Sequence, residues 1–521
     1  MPKKYPPSSL PFLQAQILEA IYLGLANGQE VGLEKLSEIT TYKPDSKILA
    51  NAINSLTKKR FLEGSLEEGF SVPSERYDFF KQVLKANEFV DKNYSKKILD
   101  WLSKKTSKVE SFLKKKNISD LNEFGVVHKW YSYLEDFPYT LVEAKIKEGV
   151  DSTASLVVDP FCGSGTTLVT ANMFHLDAIG FDSNPLMAFV SKVKTTWDVN
   201  MDEFSSAISK VASKFLDRVK SLENKPIKGD FLERMPKKEL NQWLNHRLQQ
   251  EVALLKMIIM EIEDVKIRNL FLLAMAVSCF NASNVALCPG TTFYPFREKP
   301  ELWDLLTDKI IQMYEDLKAI QSHNNYGESR LIADTCLNAS QYIDNNSIDF
   351  IITSPPYPND LEYTRQTRLE LYLLDFVMNM DDVQSIKRQM VRGSTKLIYK
   401  DDTTVDYVAK YDSVQAISRK IHEKTKDKNW GFDYPRMVKE YFGDMFLCLK
   451  EFYPLMKKDS TFMLVVGDQT IKGVVIPVGD ILIEIAEDIG YKNCKKELFR
   501  MRRSTGHTIP LPEEIVVIEK G

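Results

Sequence analysis

The chain has 521 residues, and its 69 basic and 72 acidic side chains give a formal net charge of −3. Apolar residues make up 44% and charged residues 27%, which is an ordinary globular composition. At about 150 residues per domain, the length predicts several domains. The charge balance excludes a strongly basic protein, so any contact with nucleic acid requires a local basic patch.

The cysteines, the histidines and the apolar pattern indicate the cellular compartment in which the protein is expected. Six cysteines and six histidines are scattered along the chain without a CxxC pair. This excludes a disulfide framework or a spaced metal site and fits a reducing cytoplasm. The longest nearly continuous apolar stretch, Leu270–Phe280, is shorter than the ~20 residues that cross a bilayer. MPKKYPPSSLPF at the N-terminus has no signal-peptide core. We expect a cytoplasmic protein with no metal and no membrane partner.

The N-terminal region, residues 1–75, has the order of a winged helix. Apolar residues at helical spacing begin with Leu13 and Ile17, two further short helices follow, and Phe61–Gly64 with Phe70–Val72 reads as a hairpin. Three helices before a hairpin predict a winged helix-turn-helix, in which the third helix enters the DNA major groove. The alternative is a helical cap used for packing or dimerisation.

Residues 76–125 form a basic helical linker. Between Lys92 and Ser119 there are nine lysines against two acidic residues. Trp101 and Phe112 belong to an apolar stripe typical of amphipathic helices. A solvated helix face is the simpler interpretation, and a lysine-lined DNA channel is the sharper one.

Residues 155–167, SLVVDPFCGSGTT, carry the strongest local pattern. Leu156–Val158 predicts a short buried strand of the parallel type, and the residues after Thr166 predict a helix. A strand, a glycine loop and a helix form a ligand site at the carboxyl end of the strand. The loop lacks the Gly-Lys-Ser/Thr of a triphosphate-binding loop, and Asp159 before the glycines would repel a pyrophosphate. A cationic ligand is therefore favoured.

Two further acidic residues follow predicted strands. Ala178–Phe181 ends at Asp182, where a carboxylate can bind both ribose hydroxyls of an adenosine. Leu331–Ala333 ends at Asp334. Three acidic strand ends around a glycine loop suit S-adenosylmethionine, because its sulfonium, ammonium, ribose and adenine amine are cationic or hydrogen-bond donors. The alternative is that one of these acids only caps a helix.

A second motif lies in residues 347–357, SIDFIITSPPY. Ile348–Ile352 predicts a buried strand, and Ser354, Pro355, Pro356 and Tyr357 stand at its end. Successive prolines fix two φ angles and remove two donors. A hydroxyl and a rigid carbonyl can hold an exocyclic amine, and Tyr357 offers a face on which a base stacks.

Together, Asp159–Thr167 (DPFCGSGTT) and Thr353–Tyr357 (TSPPY) resemble the two motifs of amino-directed DNA methyltransferases. The resemblance covers roughly 126–196 and 328–521. It implies an S-adenosylmethionine-dependent enzyme that methylates cytosine N4 or adenine N6 of a flipped base in double-stranded DNA. Serine as the first catalytic residue is more similar to the cytosine-N4 group. A restriction-modification or similar defence role follows, with a cognate restriction endonuclease as a candidate partner.

The resemblance also implies residue roles. Ser354, Pro355, Pro356 and Tyr357 are the catalytic residues that hold the base. The segment His128–Val142 lies where the family has a helix closing over the methionine end. The cofactor-binding residues it implies are Asp159, Pro160, Phe161, Cys162, Gly163, Gly165, Thr166, Thr167, Asp182, Ser183, Asn184 and Asp334.

The implied fold is α/β, a Rossmann-like class I methyltransferase sheet with a large helical insertion after an N-terminal α-rich domain. The domain's first half is 126–196, the insertion is 197–327, and its second half is 328–521 with a basic loop at 384–430. We expect helices at Leu240–Glu263, Lys266–Phe280 and Leu302–Gln321, and a turn-rich piece at Cys288–Pro300. Either the insertion or the basic loop is the target-recognition element, and the loop, nearer the base pocket, is favoured.

The C-terminal part completes the sheet. Thr461–Gly467 predicts a strand, Val478–Glu487 a helix, and Asn493–Arg500 with Glu514–Ile518 an antiparallel pair. Arg500, Arg502 and Arg503, expected between the two strands, are candidate phosphate contacts together with Ser504–His507, or simply exposed arginines. Three other functions stay open: an adenine-N6 DNA methyltransferase, an RNA base methyltransferase, and a non-catalytic DNA-binding regulator.

Overall fold

The structure is a computed structural model, and it describes residues 125–521 together with the strands Glu63–Ser65 and Gly69–Ser71. Within 125–521 the description leaves out 134–135, 151–154, 220–221, 223–226, 228–230, 288–290, 294–298, 324, 428–431 and 504–508. The chain divides into two compact units, Met1–Lys104 with Glu298–Glu301, and Lys105–Arg297 with Leu302–Gly521.

The first unit contains one described element, an antiparallel hairpin. Its strands are β1 (Glu63–Ser65) and β2 (Gly69–Ser71), with Gly64 opposite Phe70. This hairpin falls where the sequence predicts one. The three helices of the winged-helix hypothesis and the basic linker lie outside the described residues, and both stay predictions.

A seven-stranded sheet organises the second unit, in the order β12-β13-β9-β8-β3-β4-β7. Neighbours among β3, β4, β7, β8 and β9 are parallel, whereas β13 is antiparallel to β9 and β12 is antiparallel to β13. The strands are β3 (Leu156–Asp159), β4 (Asp177–Phe181), β7 (Ser329–Ile332), β8 (Ile348–Thr353), β9 (Met456–Gly467), β12 (Tyr491–Arg503) and β13 (Pro510–Lys520). This is the mostly parallel sheet implied by the resemblance. The two-stranded pairs are β5 (Val285–Leu287) with β6 (Thr291–Phe293), and β10 (Gln469–Ile471) with β11 (Val474–Ile476).

The central strands are buried on both faces, which explains their nearly unbroken apolar sequences. Val157, Phe350 and Ile352 belong to the core on one face, which also includes residues of α1 (Tyr139–Gly149) and α2 (Thr166–Met173). Val158 and Ile351 belong to the core on the other. That second core includes residues of α13 (Asp412–Thr425), α14 (Tyr434–Phe452) and α15 (Val478–Ile489).

The chain between β4 and β7 forms the large insertion, with α3 leading into it. Its helices are α3 (Pro185–Thr195), α4 (Met201–Val219), α5 (Phe231–Arg234), α6 (Lys237–Trp243), α7 (His246–Ile259), α8 (Val265–Ala282) and α9 (Leu302–Gln321). The helix expected at Leu240–Glu263 is two helices, because Asn245 caps α7 by accepting from Leu248 N. The strand β6 lies within the piece that the sequence predicts to be rich in turns, Cys288–Pro300. Alone among the described helices, α8 is long and apolar enough to cross a membrane, but it packs between α7 and α9 as a core helix.

The segment 384–430 is not the loop that the sequence predicts. After α10 (Tyr363–Gln366), α11 (Arg368–Leu373) and α12 (Met380–Gln389), it contains the short helices Thr395–Leu397 and Thr404–Val408 and then α13. Arg392 pairs with Asp402 at 2.9 Å and with Asp444 at 3.5 Å. Basic side chains that the sequence offers for DNA contact are therefore paired with acidic side chains of the protein itself.

The C-terminal pair is longer than the sequence predicts. β12 runs to Arg503, so Arg500 and Arg502 lie in the strand and not in a connecting loop. Residues 504–507 of the predicted phosphate-contact stretch lie outside the described part of the chain. The predicted helix at Val478 and strand at Thr461 are both present, with wider bounds.

Candidate active site

A cleft opens at the carboxyl ends of the parallel strands, where the chain leaves β3 towards β4 on one side and β8 lies on the other. Ligands of open α/β sheets bind at such a switch point. Gly163 and Asp182 line this cleft, and so do Ser354 and Tyr357. The structure therefore brings the two sequence motifs together on one surface.

The glycine loop is held by the strand and the helix beside it. Cys162 N donates to Phe181 O at 2.9 Å, and the Ser191 hydroxyl donates to Gly163 O at 2.7 Å. Gly165 has a φ of +86°, and a Cβ there would lie 2.8 Å from Ser191 Oγ. Glycine is therefore required at this position both by conformation and by the close approach of α3.

Of the three acidic residues predicted at strand ends, Asp182 lines the cleft. Its Oδ2 accepts from Gly163 N at 3.0 Å, and its Oδ1 accepts from Asn184 N at 2.8 Å. Burial raises the pKa of this carboxyl to about 7, although both backbone bonds act in the opposite direction. A ligand that donates to Asp182 would favour the ionised form.

Asp159 lies behind the loop and not on the cleft surface. It is fully buried, and its Oδ1 accepts from the Thr353 hydroxyl at 2.5 Å and from Phe161 N at 3.0 Å. Its Oδ2 has no hydrogen-bond partner among the described residues, and burial raises its pKa to about 6. Asp159 therefore ties the two motifs together through Thr353 and keeps one acceptor unused.

The other predicted cofactor residues divide into two groups. Thr166 and Thr167 are buried in the first turn of α2, and they do not line the cleft; neither does Gly165. Cys162 packs against Ser191 with Sγ 3.8 Å from Oγ, and burial raises the pKa of its thiol well above the usual value. The predicted residues that line the cleft are Pro160, Phe161, Cys162, Gly163, Asp182, Ser183 and Asn184.

The carboxylate of Asp334 accepts hydrogen bonds from residues of the turn that follows it. Its Oδ1 accepts from Thr335 N at 2.8 Å, and its Oδ2 accepts from Asn338 Nδ2 and the Tyr342 hydroxyl, both at 3.0 Å. The cleft is lined by Thr335 and Cys336 instead. The residue that caps the following short helix is Thr335, whose side chain accepts from Leu337 N. A contact of Asp334 with an adenine amine stays a prediction.

The segment predicted to close over the methionine end does reach the glycine loop. Tyr133, Asp136 and Phe137 line the cleft just before α1. The Ser164 hydroxyl donates to Asp136 Oδ2 at 2.5 Å, and the fully buried Lys194 donates to the same hydroxyl at 3.2 Å. Burial lowers the pKa of Lys194 to about 8. A buried polar chain thus joins this segment to α3.

The predicted catalytic motif forms the opposite wall. Ser354, Pro355, Pro356 and Tyr357 all line the cleft. The loop that follows packs on them, because Asp360 N donates to Gly393 O at 2.9 Å and a Cβ at Gly393 would lie 2.6 Å from Tyr357 O. Gln389, Met390 and Val391 therefore stand at the edge of the same cleft.

A bulge in β12 completes this wall. Leu498 pairs with Glu514 and Arg500 with Glu513, so Phe499 is the extra residue. A bulge re-aims side chains, and here both Phe499 and Arg500 line the cleft with Arg502, while Leu498 is 64% exposed.

Sequence reasoning missed Met187, Cys336, Tyr363 and Glu513, all of which line the cleft. Met187 had a local signal, since it follows the Asn184-Pro185 helix start. Glu513 had none, because its partner Tyr357 is 156 residues away. No group of His, Cys, Asp or Glu suited to hold a metal ion occurs among the described residues.

Comparisons with known proteins support the resemblance to DNA methyltransferases. Residues 29–191 match the N6/N4 methyltransferase family model, described as DNA methylase. This match starts upstream of residue 126, where the resemblance in the sequence begins. Over this stretch the chain is similar to the amino-directed DNA methyltransferases.

Individual relatives match over most of the chain. The type II methyltransferase M.BsoBI of Geobacillus stearothermophilus is 26% identical over 432 residues, which are 76% of this chain and 84% of that protein. The type II methyltransferase M.MvaI of Kocuria varians is 23% identical, over 81% of this chain and 97% of its own. The type II methyltransferase M.AvaI of Nostoc sp. is also 23% identical, over 81% and 88%.

Proposed function

We propose that this protein transfers a methyl group from S-adenosylmethionine to the exocyclic amine of a base extruded from double-stranded DNA, with cytosine N4 as the target. The observation that carries the proposal is the shared cleft. Gly163 and Asp182 stand on one wall and Ser354 and Tyr357 on the other, so that two ligands can meet between them.

The cofactor wall fits a cationic nucleoside. The carboxylates of Asp136 and Asp182 both line the cleft and are acceptors for ammonium and ribose hydroxyl donors. Asp182 would hold the ribose, Gly163 would allow close approach, and Asp136 would stand at the methionine end. When bound, S-adenosylmethionine would supply an electrophilic methyl group on its sulfonium.

The opposite wall fits a flipped base. A stacked base in a duplex cannot present its amino group to this wall, and extrusion costs a few kcal/mol, roughly, in stacking and pairing. Tyr357 would provide a stacking face, while Ser354 and the Pro355 carbonyl would orient the amine. These residues act by positioning, which is the main catalytic effect available in a direct, in-line transfer.

A covalent enzyme–base adduct has no place in this proposal. Cys162 belongs to the glycine loop and is buried, and its raised pKa keeps the thiol protonated. Only the thiolate is a good nucleophile. The amine of the base is itself the nucleophile in this scheme.

The choice of base rests on the serine at position 354. The test is incubation of the protein with labelled cofactor and genomic DNA, followed by digestion and mass spectrometry of the nucleosides. We expect N4-methylcytosine. N6-methyladenine would change the proposed target base and leave the cleft assignment intact. No label in DNA, including the case in which RNA offered in parallel is labelled instead, would contradict the proposal.

We further propose a role in restriction-modification, since the relatives named above are type II methyltransferases. The edge at Gln389–Val391 would belong to the target-recognition element, with exposed Lys400 as a phosphate contact.

For Lys400→Ala we expect weaker binding to all duplexes. The slope of the logarithm of the binding constant against the logarithm of salt concentration should fall in magnitude by about 1. An unchanged slope would remove Lys400 from the interface. Arg392→Ala should instead lower stability, because it leaves buried Asp444 unpaired.

A further inference from the structure

A buried carboxylate lies directly behind the catalytic tyrosine. Glu513, on β13, is only 4% exposed. Its Oε1 accepts from the Tyr357 hydroxyl at 3.1 Å, and its Oε2 accepts from Arg500 Nε. Arg502 Nε lies 3.8 Å from Oε1. One carboxylate therefore connects the catalytic motif to the edge strand of the sheet.

Arg502 constrains the same tyrosine from another direction. Its guanidinium carbon lies 5.4 Å from the centre of the Tyr357 ring, and its Nη2 donates to Asp468 O at 3.2 Å. A Cβ at Gly467 would lie 2.0 Å from that Nη2, and Gly467 is the residue of β9 opposite Glu513. The glycine leaves the space through which the guanidinium reaches the ring.

We propose that Glu513 is a positioning residue for methyl transfer: it fixes the Tyr357 hydroxyl, with Arg502 against the ring, so that the stacking face is in place before a base arrives. This inference rests on the proposed function, because it gives the face of Tyr357 to the extruded base. A side chain that is already fixed loses less conformational freedom when the ligand binds.

The charges support a fixed donor–acceptor pair. Burial and the nearby charge of Glu513 raise the pKa of Tyr357 well above its usual value. The hydroxyl therefore stays protonated and donates to Glu513. Two cations face the carboxylate from β12, so it is held in place by charge as well as by the tyrosine.

A double-mutant cycle separates positioning from general stability. For Glu513→Gln we expect kcat for methyl incorporation into DNA to fall about tenfold or more, the loss typical of a charge-assisted hydrogen bond, with cofactor affinity unchanged. Tyr357→Phe should lower kcat as well. Glu513→Gln should add nothing in the Tyr357→Phe background, because its effect passes through the hydroxyl. Full additivity in the double variant would overturn the inference.

Glu514 offers a matched control on the same strand. It is also paired across to β12, with Lys496 at 3.2 Å, but it does not line the cleft. Glu514→Gln should keep the wild-type kcat. Equal losses in Glu513→Gln and Glu514→Gln would show a general effect of weakening the hairpin and would overturn the positioning role.

A second measurement does not depend on activity. In protein labelled with 3-fluorotyrosine, the Tyr357 resonance is identified by its loss in Tyr357→Phe. Glu513→Gln should shift or broaden this resonance, and Glu514→Gln should leave it unchanged. If the wild type methylates no DNA but the resonance moves, the proposed function fails and the Tyr357–Glu513 coupling stands. An unmoved resonance overturns the coupling itself.

Discussion

The two walls of the cleft are built in different ways. The wall proposed for the cofactor is local, since Pro160, Gly163 and Asp182 come from the loop between β3 and α2 and from the end of β4. The base wall is aromatic and cationic, and it joins Tyr357 after β8 with Arg502 and Glu513 on the antiparallel edge. One wall comes from a single supersecondary unit, while the other joins the segment after β8 to the antiparallel strands β12 and β13.

This difference teaches where each property of the enzyme resides. Cofactor affinity should follow a few residues of the strand–loop–helix unit. Transfer to the base should depend on couplings between distant segments, because Tyr357 is held by residues of the C-terminal hairpin. Variants on the two walls should therefore fail in different ways.

The largest effect is expected on the base wall. Ser354→Ala or Tyr357→Ala should lower methyl transfer on the order of a hundredfold to a thousandfold, as for other losses of a group that acts in the transition state. Cofactor affinity, measured by isothermal titration calorimetry, should stay at the wild-type value. Equal loss of binding and transfer would end the division between the walls.

The next effect belongs to the cofactor wall. Asp182→Ala should raise the cofactor Kd by roughly tenfold to a hundredfold, because a carboxylate that accepts donor groups is lost. DNA affinity should be unchanged. Asp177, exposed at the other end of β4, provides the control, and Asp177→Ala should bind cofactor normally. The account of Asp182 would be wrong if both variants behaved alike.

The pH dependence of cofactor affinity tests the same wall. The pKa of Asp182 is raised to about 7 in the free protein, and donor groups of a bound cofactor favour the ionised carboxylate. Affinity should therefore rise about tenfold from pH 6 to pH 8 and then level off. Asp182→Asn should flatten the curve, and a wild-type curve that is already flat would contradict the ionisation of Asp182.

The smallest effect should come from the chain that joins the closing segment to α3. Lys194→Met removes the donor to Ser164, whose hydroxyl holds Asp136. We expect cofactor affinity to fall about fivefold, which corresponds to one ordinary hydrogen bond. Lys192, exposed on the same helix, is the control, and Lys192→Met should have no effect. A wild-type Kd in both variants would show that this chain does not position the closing segment.

The parallel part of the sheet and the cofactor wall could be predicted because their signals are local. Two short apolar runs predict buried strands that end at a site. They are Val157 and Val158 before Asp159, and Ile348–Thr353 before Ser354. The edge strands were also expected. The contribution of these strands to the cleft was not expected. The bulge at Phe499 brings Arg500 into the cleft, and no pattern in the sequence of β12 marks a bulge.

One other difference has the same physical origin. The basic residues of 384–430 suggest a DNA-contacting loop because the sequence shows charge but not pairing, and Asp444 lies far along the chain from Arg392. The role of Asp334 stays a prediction. The sequence places it at the end of a strand but does not show that Asn338 and Tyr342 donate to its Oδ2.

The most direct measurement is the crystal structure of a ternary complex with duplex DNA and an unreactive analogue of S-adenosylmethionine. The account predicts the analogue against Gly163 and Asp182 and one extruded base against Ser354 and Tyr357. The base amine should lie about 3–3.5 Å from the position of the transferable methyl group. A base that remains stacked in the duplex, or is seated away from the analogue, would contradict the shared cleft.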